Sequence, residues 1–383
     1  MTAIRVVGED PVDLPLNGSS ADQVALFDRG DALFDAVFRV PDGLGPLYIR
    51  TACSACHNEA GRGPGLVEKM SPADAAAAPV MLPYGSTIRP FAVAGASMPL
   101  VPPEGGWGHA LQRSVRVGPA LWGRGYVEAI TDAEIERVAH EQSLRSDAIR
   151  GRINRVTYHS MGTTDPQFAA HAIGETGLIG RFGLKARIAT VDDFSADALQ
   201  GDMGITSPLR PAELANPEGV TDDVKMGVDV ELQIVADLAS YVRMIEIPDR
   251  DPNAATPGAR AVFEQTLCGA CHVPALRTRA DYPVALLADI DAPVYSDLLL
   301  HDMGDALADG VPDENATGRE WRTTPLIGLR FFRSYLHDGR AHSIDEAIRL
   351  HAGVGSQANE AVARYEALTD AQRADLLRFV TSL

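Results

Sequence analysis

Cys53-Ser-Ala-Cys-His57 and Cys268-Gly-Ala-Cys-His272 together contain every cysteine of the 383-residue chain. A single C-x-x-C pair is ambiguous between a thioredoxin-like dithiol and half of a zinc site. A histidine directly after both pairs points instead to c-type haem attachment. Two thioethers fix the porphyrin edge, and the next imidazole is carried under the iron as proximal ligand. Cys53, Cys56, Cys268 and Cys271 are therefore the expected attachment residues, and His57 and His272 the expected iron ligands. No cysteine remains for a structural disulfide, a thiol nucleophile or a redox sensor.

Working outward, each motif follows a short amphipathic segment, Asp31-Ala-Leu-Phe34 and Arg260-Ala-Val-Phe263. This is a weak internal repeat that suggests two helical units of similar plan. Pro41-Asp-Gly-Leu-Gly-Pro46 separates the first segment from its cysteines, so the first unit carries an insertion. The polar, proline-bearing stretch Ile247-Pro-Asp-Arg-Asp-Pro-Asn253 lies just before the second unit, as an interdomain connection would. The expected domains are 20–247 and 248–383.

Capped helices are legible within both units. Thr131 is placed as N-cap of Asp132–Gln142, with Glu134 in capping-box position. Val230–Ile245 puts Leu232, Val235, Leu238, Ala239 and Val242 on one apolar face. Ser343 caps a segment with Ile344, Ala347, Ile348 and His351 on one stripe, and Thr369 caps a last helix with Leu376, Leu377, Val380 and Leu383 inward. The Gly/Pro-rich stretches Met81–Gly125 and Gly201–Gly219 show no strong period and read as loops. The expected fold is mainly α: two cytochrome c-like helical domains, each with one covalent haem c, and long loops around the cofactors.

Composition narrows the partners. At 45% hydrophobic and 22% charged, the chain is that of a globular protein. No stretch approaches the ~20 apolar residues of a membrane span. Acidic residues outnumber basic ones 52 to 34, giving a net charge of −18. Nucleic acid is thus a poor partner, whereas a small cationic redox protein would be attracted. Met1–Asp10 has no basic n-region, apolar h-region or small-residue cleavage site. Periplasmic or other export is therefore inferred from the chemistry of haem c attachment, not from a targeting segment.

Tyr335-Leu-His-Asp-Gly-Arg-Ala-His-Ser-Ile-Asp-Glu-Ala-Ile348 resembles the H-D-G-x-x-x-x-L-x-E-A segment of bacterial dihaem cytochrome c peroxidases and their MauG-type relatives. Four further segments resemble the dihaem oxidoreductase branch labelled "thiol oxidoreductase": 180–186 (GRFGLKA), 201–207 (GDMGITS), 298–310 (LLLHDMGDALADG) and 320–326 (EWRTTPL). The resemblance runs from about the first haem motif to the C-terminus. In the peroxidases the distal ligand of the C-terminal haem lies fourteen residues after the histidine of H-D-G. That offset from His337 falls on His351, implying a His272/His351 pair at the second iron. A bis-imidazole site has a lower reduction potential than a His/Met site.

The resemblance also implies that the first haem meets peroxide, with an acidic group beside it for proton transfer. The segment 117–130 is like the branch's loop ending in L-E-A-I, which makes Glu128 the candidate distal acid. Met98 and His109 are alternative distal groups. Trp122 and Tyr126 are candidates to lie between the haems and carry an electron, against a plain packing role for each. Arg322, Arg340 and Lys185 are candidate partners of the haem propionates, and His301, Asp302 and Met303 a structural polar knot. Calcium lies between the haems in the peroxidases; the corresponding neighbourhood here, Phe332-Arg-Ser-Tyr335, departs from theirs and lends Ca²⁺ no support. Leu184 also departs, standing where the branch commonly has tryptophan.

Three functions are implied. The first is an oxidoreductase of the cytochrome c peroxidase/MauG type, passing electrons from a small redox protein through the C-terminal haem to a peroxide-reactive N-terminal haem. The second is a dihaem electron-transfer cytochrome with no open iron site. The third takes the thiol label literally, with an external thiol as substrate, since no protein thiol is free.

Overall fold

The computed structural model describes residues 13–58, 61–63, 66–72, 82, 84–97, 111–221 and 227–383. Met98 and His109 lie outside the described residues. Helices run in the order α1 (Ala21–Asp35), α2 (Arg124–Ala129), α3 (Asp132–Ser143), α4 (Val191–Met203) and α5 (Leu232–Met244). After the interdomain stretch come α6 (Pro257–Gln265), α7 (Cys268–Cys271), α8 (Gly304–Leu307), α9 (Ile344–Arg349), α10 (Asn359–Glu366) and α11 (Asp370–Ser382). The caps act as expected. The Thr131 hydroxyl accepts from Glu134 N, and Thr369 with Gln372 forms a reciprocal capping box. Helix α9 ends two residues before His351, which sits in the following turn with its N–H on the Ile348 carbonyl.

Among the described residues helix makes up 33% and strand 14%, so the fold is mixed helix and small sheets rather than helix with loops. The main departure is a three-stranded antiparallel sheet of β2 (Leu66–Pro72), β3 (Thr87–Ile88) and β5 (Leu111–Val117), ordered β3-β2-β5. Strands β1 (Leu47–Tyr48) and β4 (Phe91–Ala92) pair separately. The register runs from Leu66 opposite Val117 to Pro72 opposite Leu111. Strand β5 thus occupies part of the stretch expected as loop. Its alternation is inverted: Ser114 and Arg116 are buried, while Val115 is 42% exposed. A polar inward face is held by Asp309, which accepts from Ser114 and Arg116 and leaves no hydrophobic period to read. Further along the chain β6 (Arg155–Val156) pairs with β7 (Leu178–Ile179), β8 (Leu276–Arg277) with β9 (Asp291–Ala292), and β10 (Leu300–Asp302) with β11 (Glu320–Arg322), all antiparallel.

The internal repeat is visible in packing. Helix α1 packs on α5, and α6 packs on α11. The α1–α5 crossing is close because Gly30 has no side chain: a Cβ there would stand 2.4 Å from the Asp237 carbonyl oxygen and 2.5 Å from Tyr241 Cβ. Gly30→Val is expected to cost about 1–3 kcal/mol by overpacking, read as a lowered unfolding midpoint. An unchanged midpoint would mean that the helices separate freely. The larger hydrophobic cluster joins α1–α5 to Leu276–Ile327; the smaller one, Ala259–Leu383, is formed by α6, α9, α10, α11 and their loops.

Candidate functional site

Both pentapeptides line large cavities. The N-terminal one is walled by Cys53, Cys56 and His57, the C-terminal one by Cys268, Cys271 and His272. They contain about 1540 and 1830 Å³ of empty space, mouths included. Each cysteine pair lies on one helix-like turn: His57 N and His272 N bond the Cys53 and Cys268 carbonyls at 3.0 and 2.9 Å. The i, i+3 spacing puts both sulfurs on one side. Burial, then Asp202, pushes the Cys53 thiol up to about 12, and burial pushes Cys268 up to about 11. Such thiols are poor free thiolates, which disfavours a redox dithiol.

The structure brings His351 to the wall of the same cavity as His272. His272 Nδ1 bonds the Tyr295 carbonyl at 3.1 Å, and His351 Nδ1 the Ala347 carbonyl at 2.6 Å. Each carbonyl fixes the tautomer and leaves Nε2 as the lone-pair nitrogen, the arrangement of a metal-bound imidazole. Burial, then His351, pushes His272 down to about 4; burial also lowers His351. Both rings are neutral, as ligation requires. The N-terminal cavity is different. Burial takes His57 down to about 4, and among the described residues no second histidine lines the wall. Met203 and Lys69 do, and Lys69 Nζ donates to the Thr87 hydroxyl at 2.6 Å.

Val117, Pro119, Arg124, Leu184 and Arg322 line both cavities and so form the wall between them. Leu184, the departure from tryptophan, lies in this wall. Arg322 is buried, with Nε on the Gly183 carbonyl and Nη1 on the Thr323 carbonyl, both at 3.0 Å. Arg124, not anticipated from sequence, is also buried, and among the described residues its guanidinium bonds only the Ala120 carbonyl, Nε at 2.9 Å. The available signal was local: an arginine between Gly123 and Gly125 in an apolar run. A Cβ at Gly125 would stand 1.9 Å from the Arg243 carbonyl oxygen, so the glycine brings α2 against α5.

Other expected site residues are placed elsewhere. Glu128 lines neither cavity. Its carboxylate accepts from Arg243 Nε (2.6 Å), Val191 N (2.7 Å) and Tyr282 Oη (2.7 Å), a set that knits α2, α4 and α5 together. All three partners hold the carboxylate between these helices and not at either cavity wall. Tyr126 lines neither cavity and donates to Glu246 at 2.5 Å. Trp122 does line the C-terminal cavity, stacked on Phe332 with its indole N–H unpartnered, and Gly61 behind the first motif packs against it. Arg340 is half-exposed, paired with Asp338 at 2.6 Å, and lines neither cavity. Lys185 is spent on Asp309 at 3.2 Å, the Thr317 carbonyl and the face of Trp321. His301 bonds Asp297 and Gln357 at 2.9 and 2.8 Å, Asp302 pairs with Arg319 at 3.0 Å, and Met303 lines the C-terminal cavity. Cys271, Asp297 and His301 cluster within 4.8 Å, but the Asp297–His301 pair is already satisfied by Gln142 and Gln357.

The cavities, the C-x-x-C-H turns, the Nε2-presenting imidazoles and the carboxylate-free arginines all fit haem. Among the described residues no helix is long and apolar enough to cross a membrane. No curated protein sequence matches the chain. Solved structures match loosely: Kuenenia stuttgartiensis hydrazine synthase (13% identity, 99% of this chain, 95% of that one, TM-score 0.40), and a MauG-like protein associated with microbial copper homeostasis (14%, 97% and 92%, 0.42). A variant of the diheme peroxidase BthA from Burkholderia thailandensis E264 also matches (16%, 99% and 89%, 0.41). The family model described as "Di-haem oxidoreductase, putative peroxidase" matches residues 108–383, well over half of the chain. The chain therefore belongs to the di-haem oxidoreductase family, an enzyme family of haem peroxidases and oxidoreductases.

Proposed function

We propose that this chain is a peroxidase-type oxidoreductase with two covalent haems of unequal access. Cys53 and Cys56 attach the first haem with His57 as its proximal ligand; Cys268 and Cys271 attach the second, held between His272 and His351. Bound, such haems supply one-electron transfer and, at an iron with a free position, peroxide reduction. One observation carries the reading: two tautomer-fixed imidazoles line the C-terminal cavity, and a single one lines the N-terminal cavity among the described residues. The second haem is then the closed electron-entry site and the first the reactive one. Arg322 is the propionate partner retained from the expected three. The units 20–247 and 248–383 are supported by the repeated α1–α5 and α6–α11 packing, although 276–327 packs into the larger core. A small cationic redox protein suits the net charge of −18, and haem c chemistry suits an exported protein.

EPR of the ferric or half-reduced protein is expected to show one low-spin bis-histidine haem and one high-spin or cyanide-exchangeable haem. Met203, buried against the N-terminal cavity, favours a second reading: a dihaem electron-transfer cytochrome, with this thioether closing the first iron. Two low-spin haems, unmoved by partial reduction and by cyanide, would select that reading.

A further inference from the structure

We propose that Arg124 and Arg322 form a two-sided anion clamp in the wall between the cavities, holding carboxylate groups of both haems and setting the two iron potentials together. This rests on the two-haem reading above.

Among the described residues the wall is where residues border both cavities, and its only charges are these two cations. Neither has a carboxylate within salt-bridge reach among the described residues. Among the described residues the C-terminal cavity has no acidic wall residue; of the two in the N-terminal one, Asp313 pairs with Arg116 at 3.2 Å and Asp202 sits among Lys69, Arg89 and Arg187. Burial lowers Arg124 to about 10; burial and then the Arg124 charge lower Arg322 to about 9. Two like charges thus sit near each other, desolvated, with anchors that are all backbone carbonyls. Buried charges persist when they are paired. Among the described residues Arg124 Nη1 and Arg322 Nη2 make no hydrogen bond to the protein, so a donor on each remains for an anion. A haem brings its own carboxylates, the propionates, and planar guanidinium forks match carboxylate geometry. Because each arginine borders both cavities, each acts on both irons. A cation near haem favours the reduced iron, so removing one leaves buried propionate charge uncompensated and favours the ferric state.

The test is redox titration of Arg124→Gln and Arg322→Gln, each first checked for two haems by pyridine haemochrome. Both midpoint potentials are expected to fall in each variant. If only one potential moves, or neither, in protein with both haems attached, the clamp is wrong. Should a glutamine variant not accumulate, the lysine variant is titrated instead. Both potentials fall there by less, since a single ammonium replaces a fork, and unmoved potentials overturn the clamp. Wild-type protein lacking two covalent haems would instead overturn the two-haem reading itself.

Discussion

His351→Ala turns the second haem high-spin while both haems stay covalently attached. The low-spin bis-imidazole EPR signal disappears completely, because the other two histidines of that wall are held elsewhere: His301 by Asp297 and Gln357, and His337 stacked on the Trp321 ring at 3.9 Å. Folding survives, since the lost Nδ1–H···O=C bond to Ala347 is worth only about 1 kcal/mol. His351→Met should keep the low-spin state but raise the potential of this haem, as a thioether favours reduced iron. A low-spin signal that persists in His351→Ala removes this residue from the iron. The measurement also separates a ligand from a packed core histidine, which would lower stability without moving a spin state.

Glu128→Ala lowers stability by about 3–5 kcal/mol and leaves cyanide binding at the first haem unchanged. Arg243 is buried with Glu128 on one side and Asp192 on the other, and its guanidinium lies 3.8 Å from the Phe168 ring centroid. Against the pull of burial, Arg243 and the Thr163 and Thr164 hydroxyls hold the Asp192 carboxyl below its usual range. Removing Glu128 leaves the Tyr282 hydroxyl and Val191 N–H without their acceptor and halves the compensation of Arg243. Thermal unfolding with a parallel cyanide titration reads both effects. Slowed peroxide turnover at an unchanged unfolding midpoint would return Glu128 to the chemistry.

The contrast between these two residues shows which part of the site was legible. His351, which lines the same cavity as His272, was singled out by the resembled family's offset from His337 and by a short capped helix, both local features. The same holds for the C-x-x-C-H turns and for the helices begun by Thr131, Ser343 and Thr369, whose caps lie within three residues of the groups they satisfy. Glu128 was placed by its loop pattern alone. Its actual environment is set by Arg243, Val191 and Tyr282, each more than sixty residues away. Strand β5 was missed because its inward face is Ser114 and Arg116, made tolerable by Asp309 and Asp313 nearly two hundred residues later. Of the three cations expected near propionates, only Arg322 reaches a cavity; Arg340 and Lys185 had nearer carboxylates, and Arg124 was overlooked.

The amino-acid sequence alone determined what is short-range: where the two C-x-x-C-H motifs lie, which histidine follows each cysteine pair, and where helices start. Only the tertiary structure decided which charges are neutralised within the protein and which are left facing the cavities. The reason is physical. A helix turn or an attachment motif is complete within a few residues, but the free energy of a buried charge depends on partners that long-range packing brings within a few ångströms.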